Sequence, residues 1–314
     1  MVRRLLLASP RGYCAGVERA VETVERALAL HGAPVYVRRQ IVHNAHVVEE
    51  LERRGAVFVE SEEDVPPGSL LVLSAHGVAP VVRERATVRR LRTVDATCPL
   101  VSKVHAEARR YAAEGYTVLL VGHAGHEEVE GTRGEAPEAT FVVETVADAE
   151  RVRVVDPARV AYVTQTTLSV DETAEIVATL RRRFPAIEGP QAGDICYATT
   201  NRQRAVKQLA ADVDLLLVIG SPNSSNSNRL VETACAAGVE AHLIEDENAI
   251  DERWLDGAET VGLTSGASAP ERLVTRVCDW FRARGVEDVL TAGSVVEDVF
   301  FRLPAEVRRA LPAA

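Results

Sequence analysis

The clearest pattern along the chain is an alternation of short apolar runs with longer segments of helical periodicity. Near-continuous runs such as LLVLS, VLLVG and LLLVIG are typical of strands buried on both faces of a parallel sheet. A polar loop follows each run, and most loops lead into an amphipathic segment. Residues 15–30, for example, predict a helix that Gly32 ends. The pattern therefore predicts an α/β fold with helical connections between small parallel sheets.

The order of these elements repeats three times along the chain. Each repeat contains a cysteine after a short apolar run and directly before a helix, in PRGYCAGVERA, VDATCPLVSKV and GDICYATTNRQ. These cysteines are Cys14, Cys98 and Cys196. Identity between the repeats is slight, but their elements match in order, which indicates an internal threefold repeat of α/β modules.

In parallel sheets, ligands bind beyond the carboxyl ends of the strands, where loops enter helices. Aligning the three modules by element order predicts that six loops converge with the three cysteines on one centre. The six loops are residues 43–44, 74–76, 122–128, 164–167, 221–228 and 265–268.

Length, composition and charge narrow the class of protein. The 314 residues exceed one ordinary core, and no apolar stretch approaches the roughly 20 residues that a membrane span needs. The first apolar run is too short for a signal peptide, so we predict a cytoplasmic protein with no membrane partner. A net charge of −10 argues against a nucleic-acid partner and requires any anionic substrate to be bound by local groups.

The five cysteines are an odd number in a chain with no secretion signal, which argues against a disulfide framework. Three converging thiolates suit zinc or an iron–sulfur cluster. Structural zinc sites usually have four ligands at close local spacing, which these cysteines lack. Most 4Fe–4S clusters use four cysteines, so three would leave one iron open as a Lewis acid for a substrate hydroxyl. The alternative is that each cysteine is a small buried hydrophobe, the interpretation we adopt for Cys235 and Cys278.

The predicted loops also contain groups suited to an anion and to proton transfer. The segments SPNSSNSNR and TSGASAP supply hydroxyl and amide donors at helix starts, although such residues also cap helices routinely. Among the histidines we favour function for His43, His76 and His126, and structural roles for His31, His105 and His242. The carboxylate of Glu128 is placed to carry a proton to a leaving hydroxyl, whereas Glu127 and Glu130 are predicted to be solvated.

Nine motifs together resemble the 4-hydroxy-3-methylbut-2-enyl diphosphate reductase family. They are PRGYCAGVERA, HNAHVVEEL, SAHGV, DATCPLVSKVH, GHAGHEEVEGT, TQTTLSVDET, DICYATTNRQ, GSPNSSNSNR and GASAP, and they extend from residue 10 to 270. The resemblance implies a trefoil of three α/β modules around a central 4Fe–4S cluster. It groups the first strand with the last module, so that the modules are 15–98, 99–193, and 1–14 with 194–314, the last with a C-terminal extension.

The resemblance also implies the reaction and the roles of residues. The substrate is an allylic diphosphate, reduced by two electrons and two protons to isopentenyl and dimethylallyl diphosphate at the end of the methylerythritol phosphate route to isoprenoids. Ferredoxin or flavodoxin would supply the electrons. Cys14, Cys98 and Cys196 would ligate the cluster and Glu128 would donate a proton. The implied substrate-binding residues are His43, His76, His126, Thr166, Ser224, Ser225, Asn226 and Ser268.

One departure from the family pattern is Glu127, because some members have proline at this position between the histidine and the glutamate. Without the resemblance, the residues indicate only a three-cysteine cluster enzyme that acts on a small anion. Two alternatives stay open at that level. A hydro-lyase would use the open iron without a reductant, and an iron–sulfur carrier or sensor would pass its cluster to an acceptor but would leave the SPNSSNSNR and TSGASAP loops unexplained.

Overall fold

The computed structural model describes residues 2–293 and 295–308. The strands are β1 (Arg4–Ala8), β2 (Val35–Arg38), β3 (Ala56–Val59), β4 (Leu70–Leu73), β5 (Arg92–Asp95), β6 (Thr117–Val121), β7 (Thr140–Val143), β8 (Val160–Thr164), β9 (Leu215–Ile219), β10 (Glu240–Ile244), β11 (Thr260–Ser265) and β12 (Asp288–Ala292).

The α-helices are α1 (Ala15–His31), α2 (Ala45–Arg53), α3 (Pro80–Val88), α4 (Pro99–Ala113), α5 (Glu127–Gly134), α6 (Val146–Arg151), α7 (Val170–Arg183), α8 (Tyr197–Leu209), α9 (Ser225–Ala236) and α10 (Glu271–Arg282). Short 3-10 turns lie at Glu62–Asp64, Ala210–Asp212, Glu247–Ala249, Glu252–Leu255 and Ala305–Val307. None of the helices in the described part of the chain has the length and apolar character that a membrane crossing requires.

The chain divides into two compact units. Unit 1 comprises Met1–Val17, His43–Val47 and Tyr197–Phe300, and unit 2 comprises Glu18–Val42, Val48–Cys196 and Phe301–Ala314. The module boundaries predicted from the sequence stay a prediction. The third predicted module includes Met1, Ser294 and residues 309–314, which lie outside the described residues.

Unit 1 contains a five-stranded parallel sheet with the order β10-β9-β11-β1-β12. Alternate side chains of its central strands enter two different cores, because successive residues of a strand point to opposite faces. Leu217 and Leu263 pack with α10 on one face, whereas Leu216 and Val218 pack with α8 and α9 on the other. This double burial explains why the strands read as continuous apolar runs.

Unit 2 contains two smaller parallel sheets, with the orders β3-β2-β4-β5 and β7-β6-β8. The three-stranded sheet is also buried on both faces. Leu119 and Tyr162 pack with α6 and α7, and Leu120 and Val163 pack with α4 and α5. Helix α3 packs on the four-stranded sheet through Val82 and Ala86.

The same strand order occurs in all three sheets. The first strand of each repeat lies between the second and the third, as in β3-β2-β4, β7-β6-β8 and β10-β9-β11. A further segment pairs beside the third strand: β5 beside β4, β1 beside β11, and Glu188 in a parallel bridge with Ala161 of β8. The chain continues from each of these segments to one of the three repeat cysteines: from β5 to Cys98, from β1 to Cys14 and from Glu188 to Cys196. The predicted α/β class with three small parallel sheets is confirmed.

Two parts of the local prediction were wrong. Helix α5 already begins at Glu127, although the sequence pattern places Glu127 and Glu128 in the predicted loop 122–128. The helix was missed because its apolar face is little more than Val129. Strand β12 was not predicted at all. It is a partly exposed edge strand, so its sequence lacks the continuous apolar run that is typical of a buried strand.

The double burial of the unit 1 sheet generates a stability prediction. Leu217 of β9 is fully buried, so Leu217→Ala removes packed methyl groups and is expected to lower the free energy of unfolding by about 2–5 kcal/mol. Leu290→Ala in the edge strand β12 is the matched control, since Leu290 is 49% exposed, and is expected to cost less than about 1 kcal/mol. Chemical denaturation of both variants measures the difference, and equal losses would contradict the buried position of β9.

Candidate active site

The three cysteines of the repeat occupy equivalent backbone positions. Each lies directly before the first residue of a helix, at the starts of α1, α4 and α8. Each also donates its backbone N–H to a carbonyl in the loop after the third strand of a repeat. The bonds are Cys14 to Ala267 (3.3 Å), Cys98 to Ala75 (3.0 Å) and Cys196 to Thr166 (3.0 Å). These hydrogen bonds join each cysteine to one of the loops that the sequence singled out.

The three repeat cysteines share an intermediate exposure, whereas Cys235 is exposed and Cys278 is buried. All five carry thiols outside any disulfide, and Cys14, Cys98 and Cys196 are partly exposed. Burial raises the pKa of the Cys14 thiol, against the opposing effect of backbone N–H groups of α1. Cys278 is buried in the unit 1 core as predicted. The same prediction was wrong for Cys235, which is exposed at the last turn of α9 because the apolar face of that helix ends before it.

A buried arginine organises the turn before Cys14. The guanidinium of Arg202 in α8 donates to the carbonyls of Gly12 (2.7 Å) and Tyr13 (3.3 Å), and it forms an ion pair with Glu297 at 3.1 Å. The side chain of Arg202 is 1% exposed, and its buried charge is shared between the turn and Glu297. Arg202 was not among the predicted site residues, because one arginine in a polar helix gives no signal of burial.

In unit 1, three of the predicted loops lie together. Ser268 donates its hydroxyl to the carbonyl of His43 at 2.9 Å, which joins loop 265–268 to loop 43–44. The backbone N–H of Ala45 donates to the hydroxyl of Ser221 at 3.0 Å, and the Asn223 side chain lies 3.3 Å from Nδ1 of His43. Loop 221–228 therefore contacts the histidine loop at two points.

Ser224 lies at the centre of the hydroxyl and amide groups in unit 1. Its Oγ accepts hydrogen bonds from Nδ2 of Asn226 and Oγ of Ser227, both at 2.9 Å, and it lies 3.4 Å from Oγ of Ser268. Ser224 precedes the first residue of α9, which is Ser225. The N–H groups and dipole of a helix start favour an anion. Ser227, fully buried, is a member of this group that sequence analysis did not select.

Two glycines make the close approach of these loops possible. A Cβ atom on Gly220 would lie 2.2 Å from Oγ of Ser227, and one on Gly266 would lie 2.0 Å from the same atom. Any other residue at either position would displace Ser227 and with it the hydrogen bond to Ser224. The glycines of the GSPNSSNSNR and TSGASAP segments thus serve packing rather than flexibility.

In unit 2, the other three predicted loops lie together. The carboxylate of Glu127 lies 3.4 Å from Nδ1 of His76 and 3.5 Å from the hydroxyl of Ser74. The rings of His76 and His126 meet edge to face, with centroids 5.9 Å apart. The prediction that Glu127 is solvated was therefore wrong: its side chain is 14% exposed because it lies against the loop of His76. Glu130 is half-exposed and pairs with Arg39.

Glu128 bonds Thr166, whereas the adjacent Glu127 lies against His76. The residue is 2% exposed, and its carboxyl group accepts the backbone N–H of Thr166 at 2.7 Å and the Thr166 hydroxyl at 3.0 Å. Burial raises the pKa of Glu128, although the two hydrogen bonds and the nearby His76 and His105 act against the rise. A buried carboxyl with a raised pKa and a hydroxyl partner is equipped to store and transfer a proton.

His126 is held as a neutral ring. Its Nδ1 accepts the backbone N–H of Glu128 at 3.2 Å, at the start of α5. Burial, together with the neighbouring His76, lowers the pKa of His126 to about 4, and Glu127 offsets only part of this effect. With Nδ1 occupied as an acceptor, the remaining Nε2 carries the hydrogen and can act as a donor.

Each unit thus contains its own set of the predicted site residues. Unit 1 contains Cys14, His43, Ser224, Ser225, Asn226 and Ser268. Unit 2 contains Cys98, Cys196, His76, His126, Glu128 and Thr166. The roles of these residues stay predictions.

Comparisons with known proteins give the family. The sequence model of the family described as LytB protein matches residues 5–282. The chain is 61% identical over 312 residues to the 4-hydroxy-3-methylbut-2-enyl diphosphate reductase of Acidothermus cellulolyticus, covering 99% of this chain and 92% of that protein. It is 56% identical to the protein of the same name in Streptomyces avermitilis, with the same coverage.

A solved structure has the same fold. The E-1-hydroxy-2-methyl-but-2-enyl-4-diphosphate reductase of Plasmodium falciparum superposes with a TM-score of 0.94 at 41% identity, covering 98% of this chain and 97% of that one. A family match over most of the chain, close relatives of nearly equal length and a matching fold agree with one another. The chain therefore belongs to the LytB family.

Proposed function

We propose that this protein reduces 4-hydroxy-3-methylbut-2-enyl diphosphate to isopentenyl diphosphate and dimethylallyl diphosphate. The allylic C–O bond breaks, two electrons enter, one proton leaves with the hydroxyl as water, and a second proton adds to carbon. The observation that carries the proposal is the buried Glu128 carboxyl with its bonds to Thr166, because an acid of raised pKa is what the departing hydroxyl requires.

The cysteines fit the iron–sulfur cofactor that the family implies. Cys14, Cys98 and Cys196 carry thiols, are partly exposed and have their backbone N–H groups bonded to the site loops. Soft thiolate ligands of this kind select iron–sulfur clusters, and we propose that the three hold one 4Fe–4S cluster per chain. When bound, the cluster would supply the electrons and a Lewis acid for the substrate hydroxyl.

The hydroxyl and amide groups of unit 1 suit the diphosphate end of the substrate. Ser224, Asn226 and Ser268 are interlinked by hydrogen bonds at a helix start, which fixes their donors before an anion arrives. Local donors of this kind are needed because the net charge of −10 offers no general attraction for an anion. Ser225, His43 and His76 are proposed to complete the diphosphate site.

Glu128 and Thr166 form a short route for a proton. A protonated Glu128 can donate to the Thr166 hydroxyl, and that hydroxyl can pass its own hydrogen onward, because Thr166 Oγ1 lies 3.0 Å from Glu128 Oε2. Glu127 contacts His76 and Ser74 instead. This geometry supports Glu128 as the donor, although Glu127 stands where some relatives have proline. Neutral His126 would orient the hydroxyl end of the substrate through its Nε2–H.

The electrons are proposed to come from a separate carrier protein, ferredoxin or flavodoxin, since the sequence has no nicotinamide-binding motif. A demand for such a donor distinguishes the reductase from a hydro-lyase, which would turn over without a reductant. The cytoplasmic location predicted from the sequence is part of the same proposal.

Serine substitutions test the cluster ligands. Protein purified without oxygen is expected to contain about four irons and four sulfides per chain. Cys14→Ser, Cys98→Ser and Cys196→Ser should each lower both contents, because a hydroxyl replaces a thiolate. Cys235→Ser is the matched control, since Cys235 is exposed on α9, and it should keep the full content. Zinc in place of iron, or no metal in the wild type, would contradict the proposal.

Glu128→Gln tests the proton donor. Glutamine keeps the size and the acceptor oxygen but cannot release a proton, so the turnover rate should fall about 10²–10⁴-fold while iron content and substrate binding are retained. Glu130→Gln is the control, because Glu130 is half-exposed and contacts Arg39. Steady-state assays with a chemical reductant measure both. Turnover at the wild-type rate in Glu128→Gln would mean that the proton comes from another group.

The lowered pKa of His126 predicts a dependence of stability on pH. Between pH about 6.5 and 4, an unfolded chain binds a proton at this histidine that the folded chain does not, so acid destabilises the fold. His126→Asn should lose less free energy of unfolding than the wild type over this range. His31→Asn, at an exposed helix end, should follow the wild type. A titration of the His126 ring by NMR with a midpoint near 6.5 would contradict the assignment.

A further inference from the structure

An ion pair in unit 2 connects the segments that carry two of the cysteines. Lys103 lies in α4, five residues after Cys98, and Asp194 lies two residues before Cys196. The Lys103 ammonium donates to Oδ1 of Asp194 at 2.9 Å, and the Asp194 side chain is 0% exposed. The carboxylate is therefore buried, whereas the Lys103 side chain that pairs with it is 36% exposed. Neither the mechanism nor the sequence motifs assign this pair a role.

The second oxygen of Asp194 contacts the end of a strand. The backbone N–H of Thr164, the last residue of β8, donates to Oδ2 of Asp194 at 2.9 Å. Two residues further along each segment, Cys196 donates its N–H to the carbonyl of Thr166. Asp194 therefore connects three elements of unit 2: helix α4, the carboxyl end of β8 and the segment that carries Cys196.

The segment before Cys196 depends on such contacts. Residues 184–196, all of them described, form neither helix nor strand apart from the single bridge at Glu188. Tyr111 donates to the carbonyl of Gly189 at 3.1 Å, and Lys103 donates to the carbonyl of Gly193 at 3.0 Å. Ordering an irregular segment costs backbone entropy at every residue, so a few strong contacts are needed to hold its end.

The choice of lysine at position 103 is itself informative. Only two of the 36 basic residues in the chain, Lys103 and Lys207, are lysines. The ammonium of Lys103 meets acceptors from three groups: Asp194 at 2.9 Å, the Gly193 carbonyl at 3.0 Å and Glu107 at 3.6 Å. Three hydrogens on a compact tetrahedral nitrogen match this arrangement, whereas the planar fork of arginine does not.

We propose that Lys103 and Asp194 are positioning residues that fix Cys196 against α4 and the end of β8 before any cofactor binds. The inference rests on the proposed role of Cys196 as a cluster ligand, but the ordering of the segment is a property of the chain without the cluster. Preorganised ligands bind a metal centre more tightly and release it more slowly.

The test uses the thiols of the full-length apoprotein. Alkylation by iodoacetamide, followed residue by residue with peptide mass spectrometry, reports how readily the thiol of each cysteine reacts in the folded chain. In Lys103→Arg and Asp194→Asn, the alkylation rate of Cys196 should rise about tenfold or more, since a buried hydrogen bond to a charge is lost. The rate of Cys14, which belongs to unit 1, should stay unchanged and serves as the internal reference.

Two controls separate positioning from charge and from general destabilisation. Lys207→Arg makes the same substitution at the other lysine, exposed in α8, and should leave all the rates at wild-type values. Lys103→Arg keeps the charge, so a faster Cys196 in this variant reports geometry. An unchanged Cys196 rate in both Lys103→Arg and Asp194→Asn would overturn the proposal. An equal rise at Cys14, Cys98 and Cys196 would also overturn it, because it would mark global unfolding.

A second variant covers the case in which Asp194→Asn does not fold. The pair Lys103→Met with Asp194→Asn removes both charges of the ion pair together, so that neither position keeps an ion that has lost the other. This variant is expected to fold and still to show the faster Cys196. In protein reconstituted without oxygen, iron release to a chelator should quicken by a similar factor. Absence of iron in the reconstituted wild type would refute the proposed function while leaving the alkylation result intact.

Discussion

The hydrogen bond from each cysteine N–H to the loop after a third strand is the constraint on which the site depends. It forms because a fourth segment, namely β1, β5 or the stretch around Glu188, pairs beside that third strand, so that both end at the same edge of a parallel sheet. The carboxyl ends of adjacent parallel strands lie side by side, and the loops that leave them become neighbours. The three cysteines therefore occupy equivalent positions because the same sheet geometry occurs three times. No local metal-binding motif is needed to place them.

Burial then gives the polar groups of these loops their chemical properties. Glu128 and Glu127 are adjacent in sequence, but only Glu128 lies within the interior against Thr166, where the missing solvent raises its pKa. The same desolvation acts in the opposite direction on His126, whose charged form it disfavours. Burial in this part of unit 2 therefore shifts both pKa values toward the uncharged form, upward for the Glu128 carboxyl and downward for the His126 imidazole.

The two units organise their polar groups by different means. In unit 1, neutral hydroxyl and amide groups contact one another around Ser224, and glycines at 220 and 266 allow the close approach. The guanidinium of Arg202 there donates to backbone carbonyls of the turn before Cys14 and pairs with Glu297. In unit 2, the Lys103–Asp194 pair joins helix α4 to a segment that is itself neither helix nor strand. Buried polar groups are stable only when their partners are complete, so each arrangement also specifies one conformation of its loops.

The sequence by itself determined the fold class, the threefold repeat and the set of loops that carry polar chemistry. Apolar runs with helical crossovers admit few alternatives, and the glycine, serine and histidine positions follow strand ends along the chain. Tertiary structure alone decided which of two adjacent glutamates is buried, that Arg202 and Asp194 are interior charges, and that Cys235 is exposed. It also decided the helical state of residues 127–134. These outcomes depend on contacts between segments far apart in the chain, and the periodicity of a local pattern does not record which distant segment will cover a side chain.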